Sequence, residues 1–429
     1  MPLGLSREAI GLLGRLLQAL RPPSGFSPTP PVGLPVDEFD CSRQIAHVFL
    51  FEHDQRIITQ VGKENYVRWM DDQNVGARGY TEARKVVRAM TSSLAEQRLT
   101  LNTGKTKFLN PGETAVHFHL DTNDLLDKLE KEIKSKKSKR GLVKKLNYAW
   151  RHAIAHENQG NWDKVLKRFY GLAAILRSPL LNKRVYDDLV KYPTLSQRIF
   201  EYMVARKTYV TLVRMFEKYI KNGECLYKSV ALAFFETFLS SDPPVKVRAS
   251  LRKLSQRVLS SDWPPELGAY PKHSAAICLY WVGDKRSAKS FLKQVREHGR
   301  DLPEGVTRAL ISGAACLAPE RFQDALIAAV QVGKPSVASL ATTITRLRGK
   351  NIKDIPGSRI LFPRYSWALQ RDIYDARMWM RLEMLAFSTS PQIKSKVQRE
   401  IERLKKESLS ATEKRCLLRL IKRVKSARK

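Results

Sequence analysis

Asp71 and Asp72 stand side by side in "YVRWMDDQNVG", residues 66 to 76, directly after an alternating apolar run. Adjacent carboxylates repel, and they coexist most readily when a metal ion or a bound proton screens them. The alternation predicts a strand from Tyr66 to Met70, a turn at Asp71-Asp72 and a short returning strand from Gln73 to Ala77. Two carboxylates at a strand tip present oxygen ligands at a fixed point. Such a point suits Mg2+ or Mn2+, which take oxygen donors and keep positions for substrate phosphates. Two ions held this way stabilise the attacking and leaving oxygens of an in-line displacement at phosphorus. A solvated turn is the other reading of an Asp-Asp pair taken alone.

Other groups have chemical potential of their own. His152 and His156 in "RHAIAHE" are spaced one helical turn apart, as zinc ligands can be, but no third ligand accompanies them in a basic neighbourhood. A partly exposed helix face is the reading favoured for this pair. Lys136, Lys137, Lys139 and Arg140 form a basic run in "KLEKEIKSKKSKRGLVKKL". Between 362 and 385, Tyr365, Trp367, Tyr374 and Trp379 interleave with Arg364, Arg371, Arg377 and Arg381. Rings can stack on unpaired bases while guanidinium groups meet phosphates, each stack contributing about 1–3 kcal/mol. A core helix with inward aromatics and solvated arginines fits the same spacing. The tail "EKRCLLRLIKRVKSARK" is amphipathic and basic, and it leaves nucleic acid, membrane surface and plain solvation open.

The 429 residues allow two or three domains with real cores. Lys and Arg number 76 against 42 Asp and Glu, a net charge of +34 that attracts polyanions, RNA and DNA first among them. No apolar stretch reaches spanning length and the N-terminus lacks a signal-peptide pattern, so the expectation is a cytoplasmic protein without membrane contact. The five cysteines are scattered, which argues against a disulfide framework or a zinc knuckle.

The elements that would position these groups follow from periodicity. A helix is predicted at 6–20, a loop at 21–35, and a second helix from Ser42. After the hairpin comes a third helix with Ala83, Val86, Val87, Met90 and Leu94 on one face, then a strand at 99–109 bent at Gly104. The first 120 residues therefore read as α+β. Beyond Asp121 almost everything is helical: a basic connection over 121–160, a helical-repeat, solenoid-like region over 161–390, and a basic amphipathic tail over 391–429. A compact helical bundle is the alternative for the middle region.

"YVRWMDD" resembles the catalytic hairpin of reverse transcriptases. Upstream, "GLPVDEFDCSRQIAHVFLFEHDQ" is similar to their Gly-Leu-Pro segment, and downstream "EARKVVRAMTSSLAEQRLTLNTGKTKFL" is similar to the helix and Lys-Thr strand that complete the palm. The match covers roughly residues 30 to 110 and looks closest to abortive-infection and other defence-associated bacterial reverse transcriptases. The resemblance implies an α+β partial palm at 1–120, a thumb-like connection at 121–160, and RNA-directed DNA polymerase activity on deoxynucleoside triphosphates. It implies that Asp71 and Asp72 bind catalytic metal, and that Lys105 lies near the phosphates as electrostatic stabiliser or proton donor. Gly33, Leu34 and Pro35 would shape the turn under the nucleotide, with Ser42 starting the helix behind it.

The chain departs from the family in having Asp37 where Gly is usual and in one extra residue between Gly33 and Ser42. The family also carries a metal-binding Asp ahead of Gly-Leu-Pro, whereas the about thirty residues before Gly33 place no Asp or Glu on a strand. The expectation is thus an N-terminally truncated polymerase, its fingers and first catalytic motif absent or supplied by a separate polypeptide. A non-catalytic nucleic-acid-binding scaffold that keeps part of a palm is the second expectation.

Overall fold

A computed structural model describes residues 11, 46–135, 139–259, 269–334, 337, 376–387 and 391–426. The chain divides into two compact units, Met1–Thr114 and Ala115–Lys429.

In the first unit, helix α1 (Phe51–Val61) buries His53 and Ile57, one turn apart. Gly62 ends it at φ 89°, a conformation that costs glycine little, and its amide closes on the Ile58 carbonyl at 2.8 Å. Strands β1 (Tyr66–Trp69) and β2 (Asp72–Val75) pair antiparallel, with Tyr66 opposite Val75 and Trp69 opposite Asp72. Helix α2 (Tyr80–Glu96) buries Val86, Met90, Ser93 and Leu94, the spacing of a single helical face. The core of this unit is small: Ile57, Tyr66, Val86 and Met90, flanked by Ile58, Val61, Val75, Ala89 and Leu101.

The strand expected at 99–109 does not form. The amides of Lys105 and Thr106 both return to the Asn102 carbonyl at 3.0 Å, and the Thr106 hydroxyl donates to the same oxygen. That turn uses the backbone groups a ladder would need. Among the described residues the sheet therefore has two strands.

The second unit is helical. It begins within α3 (Pro111–His117) and continues through α4 (Leu120–Lys134), α5 (Lys139–Ala153), α6 (Trp162–Leu176), α7 (Val185–Lys191), α8 (Ser196–Ala205), α9 (Tyr209–Lys221), α10 (Lys228–Leu239) and α11 (Val245–Leu259). Then follow α12 (Ala269–Val282), α13 (Ser287–His298), α14 (Glu304–Leu317), α15 (Phe322–Gln331), α16 (Ala376–Leu385), α17 (Pro391–Leu404) and α18 (Ala411–Ser426). Packing skips along the chain: α6, α8, α10, α12 and α14 form one continuous row, while α9 packs on α11 and α13 on α15 beside it. Apolar side chains fill the space between, including Phe216 and Phe234, stacked with centroids 3.9 Å apart. Aromatic pairs in this geometry add to plain area burial.

The amphipathic tail is part of this core. Its helix α18 buries Cys416, Leu420 and Val424 and packs on α16. There Glu383, fully buried, accepts from Arg419 Nη2 at 2.7 Å and from the Tyr280 hydroxyl at 2.9 Å. Arg423 donates to the carbonyls of Glu383 at 2.7 Å and Cys316 at 2.8 Å. Burial pushes the thiols of Cys278 and Cys416 up to about 12, so both stay protonated and act as small apolar groups. No helix among the described residues is long and apolar enough to cross a membrane.

Candidate functional site

The hairpin turn consists of Met70 and Asp71, with Trp69 and Asp72 closing the ladder. Met70 has φ 59°, the left-handed region, where a side chain costs about 1–2 kcal/mol relative to the right-handed one. Primed hairpin turns require such a positive φ at their first central residue. What holds it is Arg68. Its Nη1 donates to the Met70 carbonyl at 2.8 Å, while Nε and Nη2 form a fork onto Asp54 at 2.7 and 2.6 Å. The Arg68 side chain is 6% exposed and that of Asp54 17%, so the pair lies under the strand.

Strand alternation sorts the two faces. Tyr66 and Arg68 turn toward α1, and the Tyr66 hydroxyl donates to Asp54 at 2.7 Å. His53 Nε2 lies 2.9 Å from Gln73 Oε1, a second link between α1 and the hairpin. Burial raises the Asp54 carboxyl, but the Arg68 and Tyr66 hydrogen bonds and the Arg68 charge outweigh it, leaving Asp54 below its ordinary value. The same clamp pushes the Tyr66 hydroxyl well above its ordinary range, through burial first and the Asp54 carboxylate second. Val67 and Trp69 point the other way, Trp69 with 77% of its surface in solvent. Asp72, paired with Trp69, shares that open face.

Asp71 and Asp72 are both exposed, and neither carboxylate hydrogen-bonds or ion-pairs with a described residue. They are oxygen donors of the kind Mg2+ and Mn2+ take, on a tip that is clamped from behind. Yet among the described residues no group of three His, Cys, Asp or Glu is disposed around a metal position. The described residues by themselves do not complete a two-ion site around Asp71 and Asp72. Asp37 and Asp40, like Gly33, Leu34, Pro35 and Ser42, lie outside the described residues. Lys105 is exposed in the turn that follows Asn102.

The basic positions are dispersed. Lys136, Lys137, Arg364, Trp367 and Arg371 lie outside the described residues, and Lys139 opens α5. Arg377, on α16, bonds Glu236 of α10 and reaches Ser274 of α12 at 3.4 Å, cross-linking three helices. Trp379 is fully buried, so this aromatic faces the core. The helix ends between His152, in the last turn of α5, and His156, in the short 3-10 turn Ile154–His156.

One surface was caught only in part by the sequence reading, which named Arg140 and His152 but not the face they share with Tyr148 and Arg151. Arg140, Lys144, Tyr148, Arg151 and His152 are all exposed on α5, at spacings of three and four that put them on one face. Tyr148 has 64% of its surface in solvent. Lys145, next to this face, is instead held by Glu132 of α4 at 2.5 Å. The signal was the recurrence of cations at three- and four-residue intervals around a tyrosine. No protein-family model, no curated protein and no solved structure matches the chain.

Proposed function

We propose that this chain binds single-stranded nucleic acid and takes part in RNA-directed DNA synthesis, contributing Asp71 and Asp72 to a nucleotidyl-transfer site. The single observation behind it is the hairpin tip: two adjacent exposed carboxylates on a left-handed turn whose carbonyl Arg68 holds. The positive φ of Met70 is what a two-residue reversal takes; what this turn adds is a nearly buried arginine that fixes the tip and its carboxylates from behind. This chain's residues would act as follows. Arg68 and Asp54 fix the tip, and Asp71 and Asp72 offer oxygens to divalent cations that screen the phosphates of a deoxynucleoside triphosphate. Carboxylates from beyond the described residues, or from a second polypeptide, close the cage. The likeness of residues 30 to 110 to the palm of defence-associated reverse transcriptases supports this reading. The alternate packing of α6 to α15 supports a helical-repeat region in the second unit, with the α5 face as a contact for unpaired bases.

A second reading is favoured by the incomplete acidic cage: a scaffold that holds nucleic acid without catalysing synthesis. The test is incorporation of labelled deoxynucleotides on a primed RNA template with Mg2+ or Mn2+. It compares the chain, an Asp71→Ala/Asp72→Ala variant, and both in the presence of a polypeptide carrying polymerase fingers and the first catalytic motif. Incorporation that depends on both aspartates bears the first reading out. Nucleic-acid binding with no incorporation in any arm leaves the scaffold.

A further inference from the structure

Helices α9, α11 and α13 each pack one face on the continuous row, against α8, α12 and α14 respectively. Their other faces carry a recurring pattern. On α9, Arg214, Lys218 and Lys221 are exposed at spacings of four and three, opposite the buried Leu212, Phe216 and Tyr219. On α13, Lys289, Lys293 and Arg296 repeat that spacing in solvent, outside the face that buries Phe291 and Val295. On α11, Lys246, Lys253 and Arg257 share one exposed face, turned away from the buried Val247, Leu251 and Leu254.

The three helices are joined side by side. Helix α9 packs directly on α11. Arg252 of α11 donates to Asp284 Oδ2 at 3.1 Å, and Asp284 Oδ1 accepts from the amide of Ser287, the first residue of α13, at 3.0 Å. Gln294 of α13 reaches the Leu259 carbonyl, at the end of α11, at 3.5 Å.

Little negative charge answers these cations. Helix α11 contains no Asp or Glu, and Glu297 is the sole exposed carboxylate on the three helices. Lys293 lies 3.7 Å from it, in an ion pair open to solvent and therefore weak. Lys218 rests over the Tyr186 ring at 4.1 Å, which orients the ammonium group without neutralising it. A surface of this kind attracts polyanions.

What the face lacks chooses among them. None of the exposed side chains on α9, α11 and α13 is Tyr, Trp or Phe, so an unpaired base finds no ring to stack on. A membrane surface takes up the apolar face of an amphipathic helix, but the apolar faces of these three are buried in the protein. A duplex turns its bases inward and displays two strands of phosphates. Spacings of four and seven residues put cations about 6 and 10 Å apart along a helix, and packed helices lie about 8–10 Å apart. The cations thus cover an area instead of a line, as contact with two strands requires.

We propose that the exposed face of α9, α11 and α13 binds the phosphate backbone of double-stranded nucleic acid without reading its sequence. The assignment rests on the nucleic-acid binding proposed above. It gives duplex and unpaired strand different places, since Tyr148 on α5 supplies the ring that this face lacks.

The experiment measures binding of the full chain to a DNA duplex, and to a single strand of equal length, by fluorescence anisotropy over a range of salt concentrations. The variants are Lys246→Gln/Lys253→Gln, Lys289→Gln/Arg296→Gln, and the two pairs combined. Each lost phosphate contact should lower the slope of log affinity against log salt by about 0.9 on the duplex, so the combined variant should lose about two to four. A control variant, Lys128→Gln/Lys406→Gln/Lys414→Gln/Lys422→Gln, removes as much charge from exposed positions outside this face and should keep nearly the parent slope. All the substituted side chains are in solvent, so melting should match the parent, and each pair reads the slope separately should the combined variant fail to fold. An unchanged slope in the pairs, or an equal loss in the control, overturns the proposal. Single-strand affinity that falls as far as duplex affinity overturns the choice of duplex. Vesicles containing phosphatidylserine form a third arm, and binding lost there while duplex binding persists would assign the face to a membrane. A parent chain that binds neither nucleic acid sinks the wider reading, whereas one that binds the single strand and not the duplex sinks this assignment alone.

Discussion

At the scale of single residues, Arg68 connects a backbone conformation to a charge. It holds the Met70 carbonyl and the Asp54 carboxylate at once, so removing it frees a strained turn and strands a mostly buried anion. Arg68→Met keeps much of the volume and should lower stability by about 1–3 kcal/mol, read as the shift in a urea unfolding midpoint. No change there would mean that the fork contributes nothing measurable. Met70→Gly should leave the first unit as stable or more so, because glycine occupies φ near 59° without a Cβ penalty, whereas Met70→Val should destabilise it. Nucleotide incorporation that falls in Met70→Gly despite equal stability would show that the held geometry, and not the fold, matters to the site. The pH dependence has a definite sign. Asp54 lies below its ordinary 3.8 in the folded chain, so its contribution is full above that value and is lost as pH falls through the lower one. The Asp54→Asn variant should flatten the acid limb of the unfolding-midpoint profile, and an unaltered limb would refute this.

At the scale of elements, helix faces decide what each segment does. The α5 face places Tyr148 in solvent between Lys144 and Arg151, while the opposite face buries Leu142, Leu146, Ala149 and Ala153. Tyr148→Ala should weaken binding of single-stranded RNA or DNA about tenfold, the worth of one base–aromatic stack, while Tyr148→Phe retains it. Fluorescence anisotropy reads both, and equal affinities would remove α5 from the interface. Helix α18 shows the reverse arrangement: a segment that reads as a free basic tail is tied through Arg419 and Arg423 to Glu383. Glu383→Ala leaves Arg419 and the Tyr280 hydroxyl without their buried acceptor and should cost about 3–5 kcal/mol. A melting temperature equal to that of the parent chain would contradict the packing described here.

At the scale of the whole molecule, the charge of +34 is the basis on which the proposed binding of nucleic acid would rest. Binding through phosphates releases condensed counterions, and a protein neutralising six to ten of them loses about 10³–10⁵ in affinity between 50 and 200 mM salt. A loss of at least about tenfold over that range is expected for a single-stranded oligonucleotide. Affinity independent of salt would exclude the electrostatic account.

The sequence by itself determined the hairpin, the third predicted helix and the helical character beyond residue 121. These rest on local periodicity, and Tyr66, Val86, Met90 and Leu94 are buried on the faces that the pattern assigns. It placed the turn at Asp71 and Asp72, whereas the fold shifts it by one residue to Met70 and Asp71 and pairs Asp72 with Trp69 at the end of the ladder. Only tertiary structure decided the rest. The chain at 99–109 has strand-like composition, but the Asn102 carbonyl captured its amides locally. Arg377 and Trp379 were readable as a nucleic-acid face or a core face; the fold buries Trp379 and ties Arg377 to Glu236 and Ser274 as a cross-link. The buried carboxylate of Glu383 meets Tyr280 from more than a hundred positions away as well as Arg419, a juxtaposition that no local pattern encodes. Periodicity states which side of an element is apolar. Which other element covers that side, and which charges are then left without a partner, is settled by the fold.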